Sequence, residues 1–211
     1  MTSAQPQFSE RQEAVLDTVL HLLVEEGDAL TMSAVARRAN CSKETLYKWF
    51  GGRDGLLVAT VRLQASKVRA GRDERLALDA ANLRENLETF AADWLRVISS
   101  DTSIALNRIA VSHAASAKGN LGRIVLDNGR FALAARLKPV LEAARAAGLV
   151  RFRDAEEAFR TFFGLVARDV QIRLLLGDRL DIDVGRDAKA ATDQFLALHA
   201  APEETQPTNA M

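Results

Sequence analysis

The 211-residue chain has a single cysteine, Cys41, which excludes an internal disulfide and any site built from several thiolates. Of its four prolines, Pro6, Pro202 and Pro207 fall in the terminal segments, so only Pro139 interrupts the body. Long helices therefore meet few breakers. No apolar run approaches the roughly 18 residues of a membrane span. Residues 1–10 lack the basic-then-apolar layout of a secretory signal, so the expected address is the cytoplasm, away from any membrane. His21, His113 and His199 are widely separated and none sits in a metal-binding spacing, so neither a metal nor another cofactor is expected. A glycine-rich phosphate loop and a nucleophile elbow are absent too, and with them the usual signs of an enzyme.

Net charge is also absent, with 28 basic against 28 acidic residues, yet the balance hides an uneven distribution. Residues 1–28 hold one basic and six acidic residues, residues 29–72 nine basic and two acidic, and the remainder 18 and 20. A short basic segment in an otherwise neutral chain is the footprint of a local polyanion-binding module, although a solvated helix face has the same composition.

The apolar periodicity is helical almost throughout and strand alternation is missing, so the fold class is all-α, with about nine helices. Ser9-Glu10-Arg11-Gln12 is a capping box that opens a helix carrying Val15, Val19, Leu22 and Leu23, stopped by Gly27. Thr31 caps a short helix to Ala39, Asn40 suits a left-handed turn, and Ser42 caps a third helix ended by Gly51-Gly52. This is the outline of a helix-turn-helix. A fourth helix runs from Arg53 to about Gly71. Beyond it come a stripe from Leu83 to Ile98, a helix around Ile104–Val111, another over Ile124–Ala147, a long one from Asp154 to Leu176 and a last one over Val184–Ala200. The expected division is a head over 1–70, a larger helical body over 71–200 and a disordered tail over 201–211.

The stretch from Thr31 to Phe50, continued by Gly52-Arg53-Asp54-Gly55-Leu56-Leu57, resembles the DNA-binding domain of the tetracycline-repressor (TetR/AcrR) family of bacterial transcription regulators. The resemblance rests on Thr31, Val35-Ala36, Ala39, Ser42, Thr45-Leu46-Tyr47, Phe50 and the leucines opening the fourth helix, and it covers about residues 8–70. The chain departs from the pattern at Asn40-Cys41, where glycine and an aliphatic residue are usual, and at Gly52-Arg53, where serine and lysine are. What the resemblance implies is a ligand-responsive, dimeric DNA-binding regulator, a repressor released from a double-stranded operator by a small molecule.

The first turn of the third helix offers free backbone N–H groups and a positive dipole end. Lys43, Glu44 and Thr45 are there to reach base edges in the major groove, with Lys43 suited to guanine and Glu44 to cytosine. Tyr47 and Lys48 follow as phosphate contacts, and the resemblance adds Thr31, Ser33, Ser42 and Arg53 to the DNA-binding set. In the body, the expected effector cavity draws on Phe90, Trp94, Ile98, Ile109, His113, Phe131 and Phe163, although such stripes are more often plain core. An apolar stripe of Phe159, Phe163, Val166, Val170 and Leu174 is the expected dimer surface, and the fourth helix the expected sole rigid link between head and body. A helical protein-interaction module and a helical-bundle enzyme are the competing readings. The basic segment argues against the first and the lack of acid–base or metal spacing against the second.

Overall fold

The computed structural model describes residues 8–27, 30–69, 78–114 and 120–200. The expected domain boundary at residue 70 and the expected tail over 201–211 lie outside the described residues. Helices make up the fold: α1 (Glu10–Glu26), α2 (Met32–Arg38), α3 (Lys43–Phe50), α4 (Arg53–Ser66), α5 (Ala80–Ile98), α6 (Asp101–Ser112), α7 (Leu121–Val125), α8 (Phe131–Ala146), α9 (Ala155–Ala167), α10 (Val170–Leu175) and α11 (Val184–Leu198). Among the described residues the only β feature is an isolated bridge between Val150 and Ala200.

Capping chemistry sets most of the starts. At α1 the Gln12 backbone N–H donates to Ser9 Oγ at 3.3 Å and the Ser9 N–H to Gln12 Oε1 at 2.9 Å, a complete capping box. Thr31, Ser42, Asp79, Ser100, Asp154 and Asp183 cap α2, α3, α5, α6, α9 and α11, each side chain accepting from the backbone N–H three residues on.

Among the described residues the expected nine helices become eleven because two periodic stretches are interrupted. A π-helical turn over Leu126–Arg130 separates α7 from α8, and Arg168, with φ of 41°, separates α9 from α10. α4 stops at Ser66 rather than near Gly71, since the Ser66 hydroxyl bonds the Leu63 carbonyl and the Arg136 guanidinium takes the carbonyls of Ala65 and Val68.

Two apolar clusters organise the molecule. One joins α5, α8, α9 and α11 around Leu87, Phe90, Leu137, Phe159, Phe162 and Phe195. The other is centred on α1 and holds α2, α3 and α4, but it also takes in Leu106, Ile109 and Ala110 from α6 and Leu121 and Ile124 from α7. The head therefore shares its core with helices beyond residue 100, and α4 is not the sole link. Of the stripe expected to face a second subunit, Phe159, Val166 and Val170 are buried within the chain, and Phe163 and Leu174 are half-buried. The large apolar side chains that α10, its C-terminal end and α11 leave exposed are Ile172, Leu176 and Leu198.

Candidate nucleic-acid interface and internal cavity

α3 is held by its inner face and presents its outer one. Leu46 and Phe50, four residues apart, are buried on the α1 cluster with Trp49 half-buried beside them. Lys43, Glu44 and Lys48 are exposed and Tyr47 is 53% exposed. The turn before α3 is fixed by Asn40 at φ 49° and by Arg11, whose guanidinium donates to the Asn40 carbonyl at 3.0 Å. A bidentate pair from Arg38 to Glu25, both contacts at 3.0 Å, ties α2 to α1. The reading turn thus stands on a braced platform.

The hydroxyls in this region have prior engagements. Thr31 Oγ1 accepts from the Ala34 N–H and Ser42 Oγ from the Thr45 N–H, each at 3.1 Å, and the Ser42 and Thr45 hydroxyls lie 3.1 Å apart. Thr45 is half-buried, whereas Ser33 is exposed. Arg53, at the start of α4, reaches back to the Leu30 carbonyl at 3.4 Å. The backbone N–H of Glu44 and the Ser42 hydroxyl hold the Glu44 carboxyl below the usual carboxylate range, so it is an ionised acceptor at neutral pH.

Behind this platform lies a cavity of about 210 Å³ between α4, α5, α6, the π-helical turn and α9. Its apolar wall includes Val61, Trp94, Ile98, Leu106, Leu133 and Phe163, and its polar groups are Gln64, Ser103, Asn107, Arg130 and Gln171. Gln64 donates to the Thr102 hydroxyl at 3.3 Å, and Asn107 to the Ser103 carbonyl at 2.8 Å. The π-helical turn is the local device that brings Gly129 and Arg130 to the wall.

Comparison with known proteins bears on both halves of the molecule. Residues 15–60 match the family model of bacterial regulatory proteins, tetR family, and residues 85–201 match that of the AefR-like transcriptional repressor, C-terminal domain. The chain belongs to the TetR family of transcriptional regulators. A TetR transcriptional regulator from Agrobacterium tumefaciens with a crystal structure is 48% identical, with a TM-score of 0.79 over 92% of this chain and 96% of that one. The Flavonoid-responsive Regulator FrrA is 26% identical, with a TM-score of 0.66 over 90% of this chain and 97% of its own. The HTH-type transcriptional regulator BetI of Rhizobium meliloti (strain 1021) is 31% identical over 129 residues, 53% of this chain; the match spans 62% of that curated relative's length. TetR-family regulators bind DNA operators and function as dimers, and the family is one of regulators, not enzymes.

Within this TetR-family chain, three of the residues expected around an effector, Trp94, Ile98 and Phe163, line the cavity and four do not. Phe90 is fully buried against Phe162, ring centroids 6.1 Å apart. Ile109 lies in the α1 cluster, because α6 turns that face toward the head. His113 follows α6 with its Nδ1 3.1 Å from the Ile109 carbonyl, and Phe131 is 43% exposed under the Arg130 guanidinium. The residues missed include Val61, Gln64 and Ala65 on α4, Ser103, Leu106 and Asn107 on α6, the turn around Gly129-Arg130, and Val97, Val125, Leu133 and Gln171. One signal was readable: Leu57, Val61 and Gln64 share a helical face, so Gln64 is an amide at a core position. No group of His, Cys, Asp and Glu among the described residues is arranged to hold a metal ion, and no described helix is long and apolar enough to cross a membrane.

Proposed function

We propose that the chain is a cytoplasmic transcriptional repressor that binds a two-fold DNA operator as a dimer and is released from it by a small molecule held in the 210 Å³ cavity. The observation that carries this is the braced α3, whose exposed first turn offers Lys43 and Glu44 while Leu46 and Phe50 anchor it. Lys43 and Glu44 read base edges; Tyr47 and Lys48 contact phosphates, joined by Arg53, Ser33 and the hydroxyls of Thr31, Ser42 and Thr45 once these extend their capping bonds to DNA. A hydroxyl that accepts from a backbone N–H still has its own proton to donate, so capping and phosphate contact are compatible. Trp94, Ile98 and Phe163 serve the effector. Half-sites a helical turn or more apart require two copies of the head, and Ile172, Leu176 and Leu198 are the exposed apolar side chains offered for pairing.

The test is a mobility-shift titration against the DNA flanking the protein's own gene across a salt series. With about four to eight phosphates neutralised per dimer, log K falls against log salt with a slope of roughly −4 to −7. A slope near zero, or no shift at any salt, overturns the DNA-binding reading.

A further inference from the structure

We infer that the effector is a small organic anion, a single-ring carboxylic acid, whose carboxylate pairs with Arg130. The inference rests on the cavity being the effector site.

Charge is the first argument. No Asp or Glu lines the cavity, and Arg130 is the one ionisable side chain among the residues that do. Its guanidinium lies 5.6, 5.5 and 5.3 Å from the ring centroids of Phe131, Phe159 and Phe163. Among the described residues it has no carboxylate partner; the neighbouring Asp127 is taken by Arg123 at 2.7 Å. Stacking on rings holds a guanidinium in place yet satisfies none of its five N–H donors. A half-sheltered cation of this kind is completed by an anion, and a planar carboxylate matches the fork of the guanidinium.

The second argument is independent of charge. Trp94 is only 7% exposed and, with Phe163, whose ring centroid lies 4.9 Å away, forms an aromatic wall of the cavity. Arg130 covers the same Phe163 ring at 5.3 Å, so a ligand ring laid on this wall would place its carboxylate on the Arg130 side.

Size and wall chemistry supply the rest of the molecule. Roughly 150 Å³ accommodates benzene, so about 210 Å³ takes one ring with a short substituent. The wall of Val61, Ile98, Leu106 and Leu133 excludes an inorganic anion, which would lose its hydration without compensation.

The experiment measures binding to the full chain without DNA, by calorimetry at pH 7, using benzoate, salicylate and cinnamate beside benzamide, salicylamide and cinnamamide. The best acid is expected to bind at least about tenfold more tightly than its amide. Arg130→Gln removes that preference and Arg130→Lys retains part of it, with melting curves confirming that each variant folds. Equal or tighter binding of the amides, an acid preference that survives Arg130→Gln, or no binding by any acid in a chain that still shifts DNA would each overturn the proposal. Acid-selective binding that depends on Arg130 in a chain that never binds DNA would support the anion site and overturn the regulator reading instead.

Discussion

A lysine ammonium at the first turn of α3 and another at its last turn carry the same charge and do different work. Lys43 is beside the positive dipole end and projects with Glu44 from the leading edge of the helix, where base edges would lie, whereas Lys48 is one turn on, next to exposed Tyr47. Replacing Lys43 with Ala is expected to cost about 1–3 kcal/mol at the operator and to relax base preference at one position, while Lys48→Ala weakens all sequences about equally and lowers the salt slope by about one for each head. Fluorescence anisotropy on the operator and on scrambled DNA separates the two outcomes, and a uniform loss from both variants would remove Lys43 from base readout. These side chains were legible because a capped helix start demands a narrow set of residues: Ser9, Thr31, Ser42 and Asp154 all cap where the sequence placed them. The cavity was less legible, since an apolar side chain facing a void has the same chemistry as one facing a neighbour. Phe90 and Trp94 lie on one stripe of α5, yet only Trp94 meets the void.

At the scale of elements, the junction of α3 and α4 sets how the reading helix is aimed. Gly51 takes the left-handed conformation that closes α3, and Gly55 in the first turn of α4 runs so close to the end of α3 that an added Cβ would fall 1.8 Å from the Phe50 carbonyl oxygen. No side chain fits there unless the two helices separate. Gly55→Ala is therefore expected to destabilise the chain by about 1–3 kcal/mol through overpacking and to weaken DNA binding by re-aiming α3. Gly164→Ala is the matched control: this glycine is inside α9 with nothing within 4 Å of an added Cβ, so the change should stabilise by up to about 1 kcal/mol. Thermal unfolding of both variants checks the contrast, and a harmless Gly55→Ala would refute the close approach. The two breaks in the longer helices differ in legibility for a physical reason. Asn128-Gly129 are poor helix formers and mark the π-helical turn, whereas Arg168 is an ordinary helix former, and nothing local announces its positive φ.

Across the whole molecule, the shared core determines how a ligand could reach the DNA. α6 and α7 pack directly into the cluster centred on α1, so the head receives motion through them as well as through α4. α4 contributes Val61, Gln64 and Ala65 to the cavity and is pinned at several points beyond it. Arg136 holds the Ala65 carbonyl at 2.6 Å and, just past the helix end, the Val68 carbonyl at 2.9 Å, and Arg69 pairs with the buried Asp93 of α5 at 2.7 Å. Arg62 Nε donates to Asn128 Oδ1 of the π-helical turn at 2.8 Å. A ligand seated between the π-helical turn and α4 would press on a helix whose far end is fixed, and the expected outcome is that α4 pivots and carries its N-terminal end, with α3 beside it, to a new position. Release of DNA needs only differential affinity, and a 100-fold preference for the DNA-incompetent state corresponds to about 2.7 kcal/mol. The Arg62–Asn128 bond is exposed and neither residue belongs to the proposed DNA-contacting set, so Arg62→Ala should leave DNA affinity without effector within about twofold while shrinking the effector-induced loss of affinity at least about threefold. Anisotropy titrations with and without the tightest acid measure both quantities on one sample. An unchanged effector response would mean that the signal travels through α6 and α7 into α1 and bypasses the tie between α4 and the π-helical turn.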